Sequence, residues 1–127
     1  MKSKGGDAKG SKGERTQERI IQTGIELFSR YGFEQTSFQM IADQCKVSQA
    51  TPLFHFRNKT GFIDAVAKAV IQNLSEYLAG AFEIRDTPSQ KLQKFFVTYA
   101  NWMVIHHAKA QIIFLLYYIA SRDPLFL

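Results

Sequence analysis

The sequence predicts an all-α protein. Apolar residues recur at intervals of three and four along most of the 127 residues, and no segment shows the alternation of a half-buried strand. Glycine, proline and hydroxyl residues punctuate these runs at helical lengths, and there are no internal repeats. At 46% apolar content the chain can build one modest domain, or a small domain and part of a second.

Residues 1–13 hold four Gly and four Lys and nothing to bury, and read as a flexible basic tail. Such an arm either stays solvated or follows a polyanion into a groove. From Glu14 to Tyr31 the spacing of Ile20, Leu27, Phe28 and Tyr31, with Gly24 between them, predicts a helix that Gly32 stops. Thr36 or Ser37 caps a second, short helix with Met40, Ile41 and Cys45 on its inner side. After the break at "KVS", Ser48 is the expected N-cap of a third helix from Gln49 to His55 or Phe56. Counted from that cap, Pro52 is the fourth helical residue. It deletes the first intrahelical hydrogen bond but comes too early to clash with a preceding turn. Phe54 and Phe56 are expected in the core.

"RNKTGF" is a second break, with Asn58 or Thr60 as caps, before a long helix carrying Phe62, Ile63, Val66, Val70, Leu74, Tyr77, Leu78, Ala81 and Phe82. "RDTPSQ" at 85–90 reads as a loop containing Pro88. Two further helices follow, and the second, "KAQIIFLLYYIASR", is apolar nearly all round and expected to be buried. The predicted organisation is therefore a tail at 1–13, a helix-turn-helix domain at 14–62 and a partial helical domain at 63–127.

The net charge of +5 and a pI near 9.4 favour an anionic partner. Residues 1–62 carry ten Lys and Arg against six Asp and Glu, giving +4, whereas residues 63–127 carry six against five, giving +1. The single cysteine, Cys45, excludes an intramolecular disulfide and reads as a small core residue in a reducing compartment. No secretory signal follows the basic start, and the run "IIFLLYYIA" falls far short of the roughly 20 residues of a spanning helix. A cytoplasmic protein with no membrane partner is expected.

An enzyme is disfavoured. The sequence has no Ser/Cys–His–acid arrangement, no paired carboxylates and no Gly-rich phosphate loop after a strand. No cofactor is implied. His106 and His107 are adjacent, so they leave a helix in different directions and make a poor metal pair. Near a helix end, they are expected to favour its C-terminal dipole.

The second and third helices have the form of a helix-turn-helix. Ala42 leaves room for the third helix to cross the second, and Val47 enters the third. In a major groove, Gln49 can bond adenine N6 and N7, and Thr51 offers a hydroxyl and a methyl. Arg57 and Lys59, just past the helix, are placed for phosphates, as are free N–H groups at helix starts. His55 has two readings, a packing histidine or a phosphate ligand. Arg57 and Lys59 also read as a solvated charge pair.

These residues sit in a longer pattern. Leu27-Phe28, Tyr31-Gly32-Phe33, Thr36-Ser37, Ile41-Ala42, Val47-Ser48, His55-Phe56 and Asn58-Lys59 stand at fixed spacings. Through them, residues 14–66 resemble the N-terminal DNA-binding domain of TetR-type (TetR/AcrR) transcriptional regulators. The resemblance implies base reading by Gln49, Ala50 and Thr51. It implies backbone contact at Ser37, Ser48, Thr51, His55 and Lys59. Three positions depart from the family pattern. Lys46 replaces the usual turn glycine, which strains the turn or adds a phosphate contact. Leu53 replaces an aromatic that often reaches a phosphate, and Pro52 replaces a core aliphatic.

The same resemblance implies a C-terminal domain that binds a small effector and forms a homodimer on a near-palindromic operator, most simply as a repressor. Aromatic residues at helical spacing are read as core or as pocket. As a pocket, Phe96, Tyr99, Trp102, Met103, Phe114 and Tyr117 would take an apolar or aromatic ligand, because few charges are available there. The end at "SRDPLFL" reads as a truncated hydrophobic segment. The rival expectation is a helical protein-interaction or ligand-binding module whose helix-turn-helix no longer reads DNA.

Overall fold

The computed structural model describes residues 11–123. They form six α-helices and no strand: α1 (Lys12–Gln35), α2 (Phe38–Cys45), α3 (Ala50–Phe56), α4 (Lys59–Ala79), α5 (Pro88–Ile105) and α6 (His107–Arg122). Two compact units meet in the sequence between Val66 and Ala67, four residues later than the predicted boundary, and α4 runs across that point.

Most of the predicted basic tail lies outside the described residues, but its last two residues, Lys12 and Gly13, belong to α1 and Ser11 caps it. The Ser11 hydroxyl accepts the Glu14 N–H at 3.2 Å, and the Glu14 carboxylate accepts the Ser11 N–H at 3.1 Å. This reciprocal cap starts the helix at Lys12. Its signature, Ser-x-x-Glu, is legible in the sequence.

At Gly32 the helical path breaks, with φ 82° and ψ 170°. Nothing lies within 4 Å of where a Cβ would stand, so backbone conformation rather than crowding requires glycine here. Thr36, buried, donates its hydroxyl to the Gly32 carbonyl at 2.8 Å and to the Leu27 carbonyl at 3.3 Å. Ser37 is left to cap α2, accepting the Met40 N–H at 3.2 Å. Gly32→Ala is expected to cost about 1–3 kcal/mol in urea unfolding, the range for an L-residue forced into such a conformation.

The first unit is built round an aromatic cluster. Phe62, fully buried, contacts Phe56 at 4.8 Å between ring centroids, Phe28 at 5.5 Å and Phe38 at 5.7 Å, and Phe28 meets Phe33 edge-on at 4.8 Å. Gly24 lies beneath the Phe62 ring, where a Cβ would overlap the ring itself and crowd Val66. Ile20, Ile41, Ala42 and Val66 complete the core.

In the second unit α4 stops at Ala79, so Ala81 and Phe82 fall in the turn beyond it. Pro88 is not a loop residue, as expected above, but the first residue of α5. Thr87 accepts the Gln90 N–H at 3.2 Å, and Gln90 accepts the Thr87 N–H at 2.9 Å. Trp102 is fully buried and donates its indole N–H to the Asn73 side-chain oxygen at 2.8 Å.

His106 separates α5 from α6, beside the Tyr77 and Trp102 rings. Burial, then the nearby Lys109 charge, push its pKa below the ordinary imidazole value. His107 opens α6, at the end of a helix that disfavours a cation. The expected pairing of both histidines with a C-terminal dipole is therefore corrected. The buried-helix expectation for α6 also fails. It buries Ala110 and Ile112, while Phe114, Tyr117 and Tyr118 are exposed.

Candidate nucleic-acid interface

The turn between α2 and α3 forms without its glycine. Lys46 takes the left-handed conformation, φ 58° and ψ 45°. The Val47 N–H reaches the Ala42 carbonyl at 3.0 Å and the Lys46 N–H reaches the Asp43 carbonyl at 3.3 Å. This is the paired closure of a Schellman motif. Arg19 fastens the same corner to α1 by donating to the Cys45 carbonyl at 2.7 Å. Cys45 is buried, with its thiol 3.1 Å from the Thr23 hydroxyl, as a small core residue should be.

A lysine in this conformation costs about 1–2 kcal/mol relative to the right-handed region. Lys46→Gly removes that cost but gains freedom in the unfolded chain. The net expectation is a stabilisation of about 0.5–1 kcal/mol by urea unfolding, opposite in sign to Gly32→Ala.

The start of α3 differs from expectation. Its first residue is Ala50, Gln49 occupies the cap position, and no side chain caps it. The Ser48 hydroxyl faces the Thr51 hydroxyl at 3.4 Å instead, while the Ser48 carbonyl accepts the Thr51 N–H at 3.0 Å. Pro52 thus becomes the third helical residue, where an N–H would have no intrahelical acceptor. Its ring is fully buried, replacing an aliphatic side chain without breaking the helix.

At the other end Arg57 adopts φ 68° and ψ −53°. The Asn58 N–H bonds the Phe56 carbonyl at 2.8 Å across it, which makes a γ-turn with positive φ, a rare and strained form. Asn58, rather than Thr60, then caps α4 by accepting the Gly61 N–H at 2.8 Å. A Cβ on Gly61 would lie 2.5 Å from the Phe56 carbonyl oxygen, so this reversal needs the glycine.

The nine residues assigned to DNA from the sequence lie on α3, on the turns at its two ends and at the starts of α2 and α4. Gln49 and Ala50 are exposed and Thr51 is half-buried. Ser37, Lys46, Ser48 and Arg57 are exposed, and no ion pair among the described residues engages Lys46 or Arg57. The Ser37 oxygen already serves the α2 cap, which leaves its O–H to donate. His55 is half-buried between the Phe54 ring at 5.3 Å and the Phe56 ring at 6.1 Å. Lys59 lies just past α3, as expected, where it is the first residue of α4, and it donates to the Glu34 carbonyl at 3.1 Å.

One residue moves from core to surface. Phe56 is buried as expected, but Phe54 is 83% exposed and Leu53 is 41% exposed. At 100° per residue Phe54 lies about 160° round the helix from both Pro52 and Phe56, which face the core. A buried Pro52 would have given this away.

The six aromatic and apolar residues assigned to a pocket differ in burial. Trp102 is buried, Tyr99 and Met103 are half-buried, and Phe96, Phe114 and Tyr117 are exposed. An open groove of about 530 Å³ is lined by Ala81, Gln93, Lys94, Phe96, Val97 and Thr98, and Phe96 alone comes from the predicted set. No group of three metal-ligating side chains occurs among the described residues.

Residues 20–66 match the family model for bacterial regulatory proteins of the tetR family. Residues 20–66 carry this TetR-type domain. Its relatives include the uncharacterized HTH-type transcriptional regulator YerO of Bacillus subtilis, 35% identical over 71 residues, which are 50% of this chain and 25% of YerO. The class C tetracycline repressor protein of Escherichia coli is 33% identical over 55 residues, 43% of this chain and 25% of that protein. The matches thus span about a quarter of the length of these two relatives. A solved TetR-like transcriptional regulator from Rhodococcus sp. RHA1 shares the fold with a TM-score of 0.73, at 19% identity. That match covers 85% of this chain and 63% of the solved one. The all-helical TetR-like architecture read from the sequence is the one observed.

Proposed function

We propose that this chain is the DNA-binding part of a TetR-type transcription regulator, and that it selects its site by laying α3 in a major groove. The observation that carries this reading is the outer face of α3. It presents Ala50 and Thr51, with Gln49 exposed at its start, between Lys46 and Arg57, two exposed cations without an ion-pair partner among the described residues, on a helix-turn-helix of family type. Gln49, Ala50 and Thr51 contact bases. Ser37, Lys46, Ser48, His55, Arg57 and Lys59 hold the phosphates that fix the helix in register.

The complete regulator acts as a homodimer on a near-palindromic operator with half-sites about 34–36 Å apart. It represses, as the name of the tetracycline repressor says that relative does. Its effector is small and apolar or aromatic, and it acts by binding one spacing of the two reading helices better than the other. No catalysis is assigned to it. It works in the cytoplasm, and no single helix among the described residues is long and apolar enough to cross a membrane.

The exposed Leu53 and Phe54 favour one rival, a protein-interaction module that has lost DNA reading. Fluorescence anisotropy on duplexes selected from a random pool, across a salt series, separates the two. A DNA reader binds the selected duplex tightly and loses affinity steeply as salt rises. Flat, unselective binding by both this chain and a longer version would establish the interaction module instead.

A further inference from the structure

Phe54 is the most exposed large apolar residue of α3, and nothing in the first unit explains an exposed phenylalanine there. Its neighbours along the helix face are Ala50 and Thr51, one turn earlier, with the exposed Arg57 just past the helix end. The half-buried His55 ring braces it edge-on at 5.3 Å, which limits its freedom before any partner arrives. Accepting the reading above, a helix lying in a major groove brings its outermost side chain closest to the base edges. A phenyl ring can neither donate nor accept a conventional hydrogen bond there. The one apolar group that the four bases display in the major groove is the 5-methyl of thymine.

We infer that Phe54 is a specificity-determining residue that packs its ring on the 5-methyl group of a thymine, adding a methyl-reading position to the hydrogen-bond reading by Gln49 and Thr51. The cations at Lys46 and Arg57 hold the helix by phosphates at the ends of the same face, so the ring is pressed against the groove floor rather than left in water. Packing of this kind removes a methyl group and part of a ring from water together. One such methyl contributes about a three- to fivefold change in affinity.

The test uses the full chain and a duplex from the selection, with each thymine replaced in turn by deoxyuridine, which keeps base pairing and removes only the methyl. At one thymine, or one symmetry-related pair, the replacement is expected to weaken binding by three- to fivefold per site. Phe54→Ala is expected to abolish that sensitivity, binding thymine and deoxyuridine duplexes alike, while Phe54→Leu keeps part of it. Because Phe54 is exposed, both variants retain the fold, and their urea midpoints verify it. Selective binding in which every thymine tolerates deoxyuridine overturns the inference and leaves the DNA reading intact. So does a deoxyuridine effect that Phe54→Ala leaves unchanged. Unaltered affinity of Phe54→Ala for all duplexes also overturns it, and would turn the ring toward a protein partner. Failure of both this chain and a longer version to select any sequence overturns the DNA reading itself and this inference with it.

Discussion

Phe62→Ala is expected to lower the stability of the first unit by about 3–5 kcal/mol, the range for truncating a buried phenylalanine. Phe62 is fully buried and contacts three other phenylalanine rings, from α1, α2 and α3. Removing it opens a cavity where all the helices of the DNA-binding unit converge. A unit this small has little reserve, so a loss of that size takes most of a typical folding free energy. Urea unfolding followed by far-UV circular dichroism measures it. Phe54→Ala serves as the control, since the same chemical change at an 83% exposed position should shift stability by no more than about 0.5 kcal/mol. Similar losses at both positions would contradict the assignment of Phe62 to the core and Phe54 to the surface.

The second large effect is on DNA. Gln49→Ala is expected to weaken binding to the selected duplex by about 1–3 kcal/mol and to leave random duplex nearly untouched, because a bidentate contact to adenine carries discrimination. Arg57→Ala should do the reverse. It should weaken selected and random duplex together and make log K against log salt shallower by about 0.9, the value for one phosphate contact. Alanine keeps a Cβ at this positive φ, so the γ-turn is no more strained in the variant than in the parent. Lys59 is a less clean probe, because its ammonium also holds the Glu34 carbonyl and its loss loosens the join between α1 and α4. Equal losses from Gln49→Ala and Arg57→Ala on both duplexes would remove base reading from Gln49.

These experiments bear on residues whose placement was not equally legible. Gly32 as a break in the first helix and Ala42 as a buried small residue follow from residue type and spacing, and the structure has both, although α1 resumes beyond Gly32 to Gln35. Two helix starts were legible but missed. Ser11 with Glu14 and Thr87 with Gln90 both spell the capping box, and each moves a boundary into a stretch that composition alone assigns to a tail or loop. The contact of Lys59 with Glu34 could not be read from sequence, because the acceptor is a backbone carbonyl 25 residues away.

The sequence by itself determined the all-helical class and the helix-turn-helix, because these rest on periodicity, caps and local spacing, and it carried the motifs of the TetR-type resemblance. Only the tertiary structure decided which side of α3 faces outward. The helix has seven residues, fewer than two full turns, so its apolar pattern has no readable phase. Packing settled the phase by burying Pro52 with Phe56 against the aromatic cluster, and that turned Phe54 to the surface. The same holds for α6, where an all-round apolar sequence cannot say which residues find partners. Burial is a property of what lies opposite a side chain, and a single sequence records the side chain alone.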